Sequence, residues 1–241
     1  MENILEEWSS LSGDLASKFT FPEADTSVQS VDRTVEPRGI KVRVYMPSIV
    51  PGSQDIPLAV YMHGGGWAMG NLDSEDFQPR LIAKRSGLVV VSVDYRLAPE
   101  HRFPLPLNDC VDAIEWAVTN ARSLGATTDD VIIIGASAGA NLAIASSLQL
   151  IDRGRGSILR GLVAVVPVTV HPKFVPLEYS SLYRSFEEEA DCPIDTADAM
   201  AGPGGFWGLL MAFHISNELT NIDLRYVCQR SFQSICFGPA T

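Results

Sequence analysis

The sequence predicts an α/β protein built on a doubly wound, mostly parallel sheet. Short apolar runs, largely β-branched, recur at 58–62, 88–93, 131–134 and 162–168. Between them lie segments with helical spacing of apolar residues, each roughly 12–18 residues long, and that alternation is the mark of a parallel sheet covered on both faces. Two glycine-bearing segments stand directly after apolar runs. In such sheets, sites form at the carboxyl ends of the strands, so segments distant in sequence can meet there.

Each element has its own signal. Residues 1–18 place Ile4, Leu5, Trp8, Leu11 and Leu15 near helical spacing and are expected to form one or two amphipathic turns. Residues 19–38 are rich in Pro, Asp and Thr and show no clear period. Ile40-Lys41-Val42-Arg43-Val44-Tyr45 alternates, which suits an outer strand. Residues 47–57 hold three prolines, a glycine and two serines and read as a loop before the strand at 58–62. A helix is expected over 73–86, with Phe77, Leu81 and Ile82 on one face and Gly87 as its stop. Leu88-Val89-Val90-Val91-Ser92-Val93 is apolar almost throughout, as a strand buried on both faces requires. Leu107, Val111, Ile114, Val118 and Ala121 mark a helix ending at Gly125. A strand at 131–134, a helix over 141–151 and a strand at 162–168 follow, with no repeat and no low-complexity tract.

The 241 residues suit one domain, and a hydrophobic content of 46% supplies an ordinary core. A net charge of −11 repels phosphates and so argues against nucleic acid and anionic membrane surfaces as partners. The cysteines Cys110, Cys192, Cys228 and Cys236 show no paired spacing and form no metal motif with the histidines; Cys110 reads as a small buried hydrophobe. The acidic start, Met1-Glu2-Asn3-Ile4-Leu5-Glu6-Glu7, is unlike a signal peptide. No apolar stretch approaches the roughly 20 residues of a membrane span. The C-terminal Pro239-Ala240-Thr241 is not a peroxisomal tail. A cytoplasmic location is therefore expected.

Two segments carry the chemistry. Gly135-Ala136-Ser137-Ala138-Gly139 follows Val131-Ile132-Ile133-Ile134 and opens an Ala-rich helix. A strand-to-helix turn this sharp strains its central residue, needs small flanks, and lifts Ser137 Oγ over the sheet above a positive helix end. Ser137 is the expected nucleophile. His63-Gly64-Gly65-Gly66-Trp67 follows Leu58-Ala59-Val60-Tyr61-Met62 and offers backbone N–H groups unobstructed by side chains. Such donors suit the oxyanion of acyl transfer, where one is worth roughly 3–4 kcal/mol. No Lys-Ser/Thr follows, which argues against a P-loop, and no Gly-x-Gly-x-x-Gly follows the first strand. His63, inside the glycine run, is expected to brace the loop rather than to act as a base. The charged cluster from Asp94 to Glu100 is expected to be an ion-pair brace. Trp67, Tyr95 and Phe103 suit an acyl pocket or the core equally well.

His63-Gly64-Gly65-Gly66-Trp67, Tyr95-Arg96-Leu97-Ala98-Pro99-Glu100 and Gly135-Ala136-Ser137-Ala138-Gly139, in this order, resemble the hormone-sensitive-lipase-like branch of the α/β-hydrolases. The likeness covers roughly residues 25–200 and extends to fungal esterases of secondary metabolism, of the versiconal acetate esterase type. It implies the α/β-hydrolase fold with eight strands, an N-terminal helical lid made partly from residues 1–20, and hydrolysis of small acyl or polyketide-derived esters with no cofactor and no metal. It assigns Ser137 as nucleophile and the N–H groups of Gly65, Gly66 and Ala138 as oxyanion hole, with Gly64 part of the loop.

The sequence departs from that pattern twice. Ala136 stands where the branch usually has Asp, a change expected to tune the site. The text also ceases to resemble the family near residue 200. The expectation is a hydrolase domain over 1–200 followed by an atypical tail over 201–241, the sheet truncated and missing its last strands. The strand at 162–168 would then be an apolar edge, which favours marginal stability or a homodimer. Acid and base must follow Ser137 in the order Asp, His. Asp191, Asp195 or Asp198 followed by His214 satisfies that order at poor spacing, and His171 precedes those acids. The alternative to an esterase is an impaired truncated homologue, or a non-catalytic binding protein, lacking the Asp and His.

Overall fold

The computed structural model describes residues 24–47, 56–169, 175–188 and 190. Its elements run β1 (Gln29–Val35), β2 (Ile40–Met46), β3 (Leu58–Met62), α1 (Phe77–Ser86), β4 (Val89–Asp94), α2 (Leu105–Thr119), β5 (Val131–Ala136), α3 (Ala138–Asp152), β6 (Leu159–Val165) and a short α4 (Ser185–Glu188). The strands form one sheet in the order β1-β2-β4-β3-β5-β6. The pairings β1 with β2 and β2 with β4 are antiparallel, while β4, β3, β5 and β6 run parallel. This is the doubly wound sheet expected. Six of the eight strands implied by the resemblance lie among the described residues. The helical turns expected over 1–20 and the tail over 201–241 lie outside them.

Side-chain alternation divides the core between the two faces. On one face Leu58, Val60, Met62, Val91 and Ile133 meet Cys110, Val111 and Ile114 of α2 and Leu142 of α3. On the other, Tyr45, Ala59, Tyr61, Val90 and Ile134 meet Ala83 of α1. Cys110 is buried, as read from the sequence.

Several expectations need correction. Residues 29–35 form a strand although they lack a clear period: along Gln29–Val35 only Val35 is fully buried, so no apolar alternation marks the strand. Strand β2 is not an outer strand, because β1 pairs along its far side. Helix α1 starts at Phe77, not at residue 73. Asn71 Oδ1 accepts the N–H groups of Asp73 (2.9 Å) and Ser74 (2.8 Å), which spends the preceding residues in a side-chain-capped turn. Phe77 and Leu81 are 46% and 39% exposed, and α1 instead buries Pro79, Arg80 and Ala83. Helix α2 closes at Thr119, and a 3-10 turn over Ala121–Leu124 carries the chain to Gly125. Helix α3 begins three residues earlier than expected, immediately after Ser137. Strand β6 lies upstream of the expected 162–168, and Val166 leaves the ladder at φ 43°.

Candidate active site

The turn between β5 and α3 explains its own residues. Ser137 has φ 52° and ψ −118°, a conformation costing a non-glycine residue about 1–3 kcal/mol. The strain is held from several sides. The Ser137 N–H donates to the Val165 carbonyl at 2.9 Å, and the Ser137 carbonyl accepts from Ala140 (3.0 Å) and Asn141 (3.1 Å). The flanking glycines are required by contact. A Cβ on Gly135 would lie 2.2 Å from the Gly139 carbonyl oxygen, and one on Gly139 would lie 2.1 Å from that of Met62. Ser137 thus caps the N-terminus of a 15-residue helix, whose free N–H groups favour negative charge.

The glycine loop lies against this turn. A Cβ on Gly64 would sit 3.6 Å from Ser137 Cβ and 3.3 Å from the Ala136 carbonyl oxygen, and one on Gly139 only 2.3 Å from the His63 carbonyl oxygen. Gly64 is therefore a neighbour of Ala136 and Ser137, 72 and 73 residues away in the chain, as the two strand ends require. Gly65 turns the loop at φ 106°, and its carbonyl accepts the Met69 N–H at 2.9 Å. Gly66 follows at φ 60° and Trp67 at φ 61°.

His63 does what the sequence suggested for it. Its ring is buried and stacks on Tyr95 with centroids 4.2 Å apart and planes 13° apart. Nδ1 lies 2.7 Å from the Gly64 carbonyl oxygen, a pure acceptor, so this nitrogen carries the proton. Burial holds the imidazole below its ordinary pKa, partly offset by that hydrogen bond. The cluster after β4 is the expected brace. Buried Asp109 accepts from the Arg96 guanidinium at 2.8 and 2.7 Å and from the Arg96 N–H at 3.1 Å. Trp67 and Tyr95 are core residues, and Phe103 packs partly buried against the same core.

Two contributions were missed in the sequence. Asn141 Nδ2 donates to the Val168 carbonyl at 2.8 Å and ties the segment after β6 to the first turn of α3. Its signal was a lone amide in an Ala-rich helix start. The Tyr95 hydroxyl donates to the His63 carbonyl at 2.8 Å, which no local pattern announces. His171, His214, Asp191, Asp195 and Asp198 lie outside the described residues. Among the described residues no three His, Cys, Asp or Glu side chains cluster as metal ligands, and no helix is long and apolar enough to cross a membrane. A cleft of about 310 Å³ lined by Gln29, Met46, Ile56, Val89 and Leu124 opens at the amino ends of the parallel strands, the edge opposite Ser137.

Comparison with known proteins agrees with this geometry. A family model described as the alpha/beta hydrolase fold matches residues 59–206. The chain is 38% identical over 200 residues to a versiconal hemiacetal acetate esterase of Aspergillus parasiticus, covering 83% of this chain and 61% of that protein. It is 40% identical over 200 residues to a versiconal hemiacetal acetate esterase of Emericella nidulans, covering 81% of this chain and 66% of that one. The chain therefore spans about two thirds or less of the length of these curated relatives. Among solved structures, the hyperthermophilic esterase from the archaeon Pyrobaculum calidifontis superposes with a TM-score of 0.68 at 33% identity, covering 88% of this chain and 65% of that one. With the sheet order, the strained serine turn and the adjoining glycine loop in place, this chain belongs to the alpha/beta hydrolase fold family.

Proposed function

We propose that the protein hydrolyses a carboxylic ester, a small acyl or polyketide-derived one, in secondary metabolism. One observation carries the reading: a serine held at φ 52° on a strand-to-helix turn, with a glycine loop packed against it. Similarity to the fungal versiconal hemiacetal acetate esterases supports an acetate ester as the substrate class.

In this reading Ser137 Oγ attacks the ester carbonyl, and the alcohol leaves from the tetrahedral intermediate. Water then attacks the acyl-serine and releases the acid. The N–H groups of Gly65, Gly66 and Ala138, with Gly64 in the supporting loop, receive the oxyanion. The end of α3 adds its dipole. A base must take the Ser137 proton. His214 follows Asp191, Asp195 and Asp198 in the chain order this fold uses, and is the residue to change next.

Hydrolysis of a short-chain nitrophenyl ester by this chain, beside Ser137→Ala, tests the proposal. Turnover is expected in the parent and a loss of about 10³-fold or more in the variant. Equal, near-background rates in both would overturn the hydrolase reading.

A further inference from the structure

We propose that Tyr95 is the positioning residue of the glycine loop, fixing the peptide planes that lead into it by holding the His63 and Gly64 carbonyls, and so aiming the Gly65 N–H that the hydrolase reading gives to the oxyanion. The inference rests on the hydrolase reading and extends it to a residue that touches neither substrate nor Ser137.

Planarity of the peptide supplies the mechanism. In a trans peptide the carbonyl of one residue and the N–H of the next point in opposite directions within one plane. A partner that holds the carbonyl therefore sets the direction of the N–H. The His63 carbonyl accepts the Tyr95 hydroxyl at 2.8 Å, which orients the Gly64 N–H. The Gly64 carbonyl accepts His63 Nδ1–H at 2.7 Å and lies 3.5 Å from the same hydroxyl, which orients the Gly65 N–H. Two successive peptide planes are thus tied to one phenol and to the imidazole stacked on it at 4.2 Å.

The other sides of the assembly are closed by backbone. A Cβ on Gly139 would lie 2.3 Å from the His63 carbonyl oxygen, so the serine turn presses on the same carbonyl. A Cβ on Gly70 would lie 2.4 Å from His63 Nδ1, so the far end of the loop presses on the ring. Tyr95 itself is buried at the end of β4, the strand beside β3, and burial pushes its phenol far above its ordinary pKa. The hydroxyl therefore stays protonated, and a donor, around neutral pH. Its neighbour Arg96 is anchored on Asp109, which fixes the backbone that carries it. The three motifs meet through this hydroxyl: Tyr95, the His63 carbonyl and Gly139.

A hole whose donors swing by a fraction of an ångström loses transition-state stabilisation while ground-state binding survives. Nitrophenyl butyrate turnover is measured for the parent chain, Ser137→Ala, Tyr95→Phe and Arg80→Ala. Arg80 lies on the opposite face of the sheet and serves as a control for lost stability. Expected is a fall in kcat of about 10- to 100-fold for Tyr95→Phe with KM within about twofold, and kcat within about twofold for Arg80→Ala. Tyr95→Phe within twofold of the parent in kcat overturns the inference. So does a rise in KM alone, or an equal fall in Arg80→Ala. Background rates in both the parent and Ser137→Ala overturn the hydrolase reading and this inference with it. Should Tyr95→Phe fail to fold, Tyr95→Met takes its place. That side chain is flexible enough to fill the buried space and removes the hydroxyl at residue 95, and the same criteria apply.

Discussion

Gly139 carries two constraints at once. It opens α3 beside Ser137, and its Cα rests on the carbonyls of Met62 and His63, where a Cβ would stand at 2.1 and 2.3 Å. Backbone atoms cannot yield as a flexible side-chain end can. Gly139→Ala is therefore expected to cost about 3 kcal/mol or more, the upper range of overpacking, read as a lower urea midpoint. Gly161→Ala is the control, because a Cβ there meets nothing within 4 Å; its expected effect is within about 0.5 kcal/mol. An unchanged midpoint for Gly139→Ala would show that the turn and the glycine loop are not packed as described. At this scale much was readable beforehand. The need for glycine on both sides of Ser137 follows from the sharpness of any strand-to-helix turn. The role of Tyr95 does not, because it depends on β4 lying beside β3 with Val93 level with Met62.

Helix α1 shows how an element can be predicted for the wrong reason. Phe77, Leu81 and Ile82 mark an apolar face in the sequence, yet of these only Ile82 packs against the core, and the side laid on the sheet also carries Arg80. That arginine is almost wholly satisfied. It donates to Asp76 Oδ2 at 2.7 Å, to the Val28 carbonyl at 2.7 Å and to Ser30 Oγ at 3.1 Å, and its guanidinium lies 5.2 Å from the centre of the Tyr45 ring. Lys84 and Asp25 pair beside it. The helix thereby stitches the start of β1 to the sheet. Arg80→Ala takes the donor from Asp76 Oδ2 and from the buried Val28 carbonyl, while Tyr45 and Arg43 stay on Asp76 Oδ1, and is expected to cost about 2–3 kcal/mol. Arg80→Lys should recover only part of this, since one ammonium cannot reach three acceptors in a fork. Chemical denaturation of the two variants checks the order. Equal stability of Arg80→Ala and the parent would remove the stitch from the account.

Across the whole molecule the sheet is graded from centre to rim. In β3 and through most of β4 and β5 the side chains are buried on both faces. Strand β6 pairs along β5 only, among the described residues, and Val163 and Val165 are 46% and 50% exposed. Backbone hydrogen bonds open most readily where few apolar contacts cover them. Amide hydrogen exchange should accordingly be slowest in β3, β4 and β5 and at least about tenfold faster in β6 and β1. Uniform protection across all six strands would show that something else covers the rim. The gradient matters for the proposed chemistry, because the Ser137 N–H is held by the Val165 carbonyl of that last strand.

Periodicity, glycine placement and motif order were enough to determine a doubly wound sheet, a serine on its strand-to-helix turn and a glycine loop at a neighbouring strand end. These are local properties: a side-chain period of two or 3.6, and turns that admit no Cβ. The tertiary structure alone decided the rest. Strand β1 carries no apolar alternation and exists because β2 offers it a ladder. Arg80 is buried because Asp76, Val28 and Ser30 converge on it. Tyr95 reaches the His63 carbonyl, 32 residues away in the chain, because β3 and β4 are paired in one parallel register with Met62 level with Val93. Contacts of this kind depend on which residues are brought level across the sheet, and no window of the sequence contains both partners.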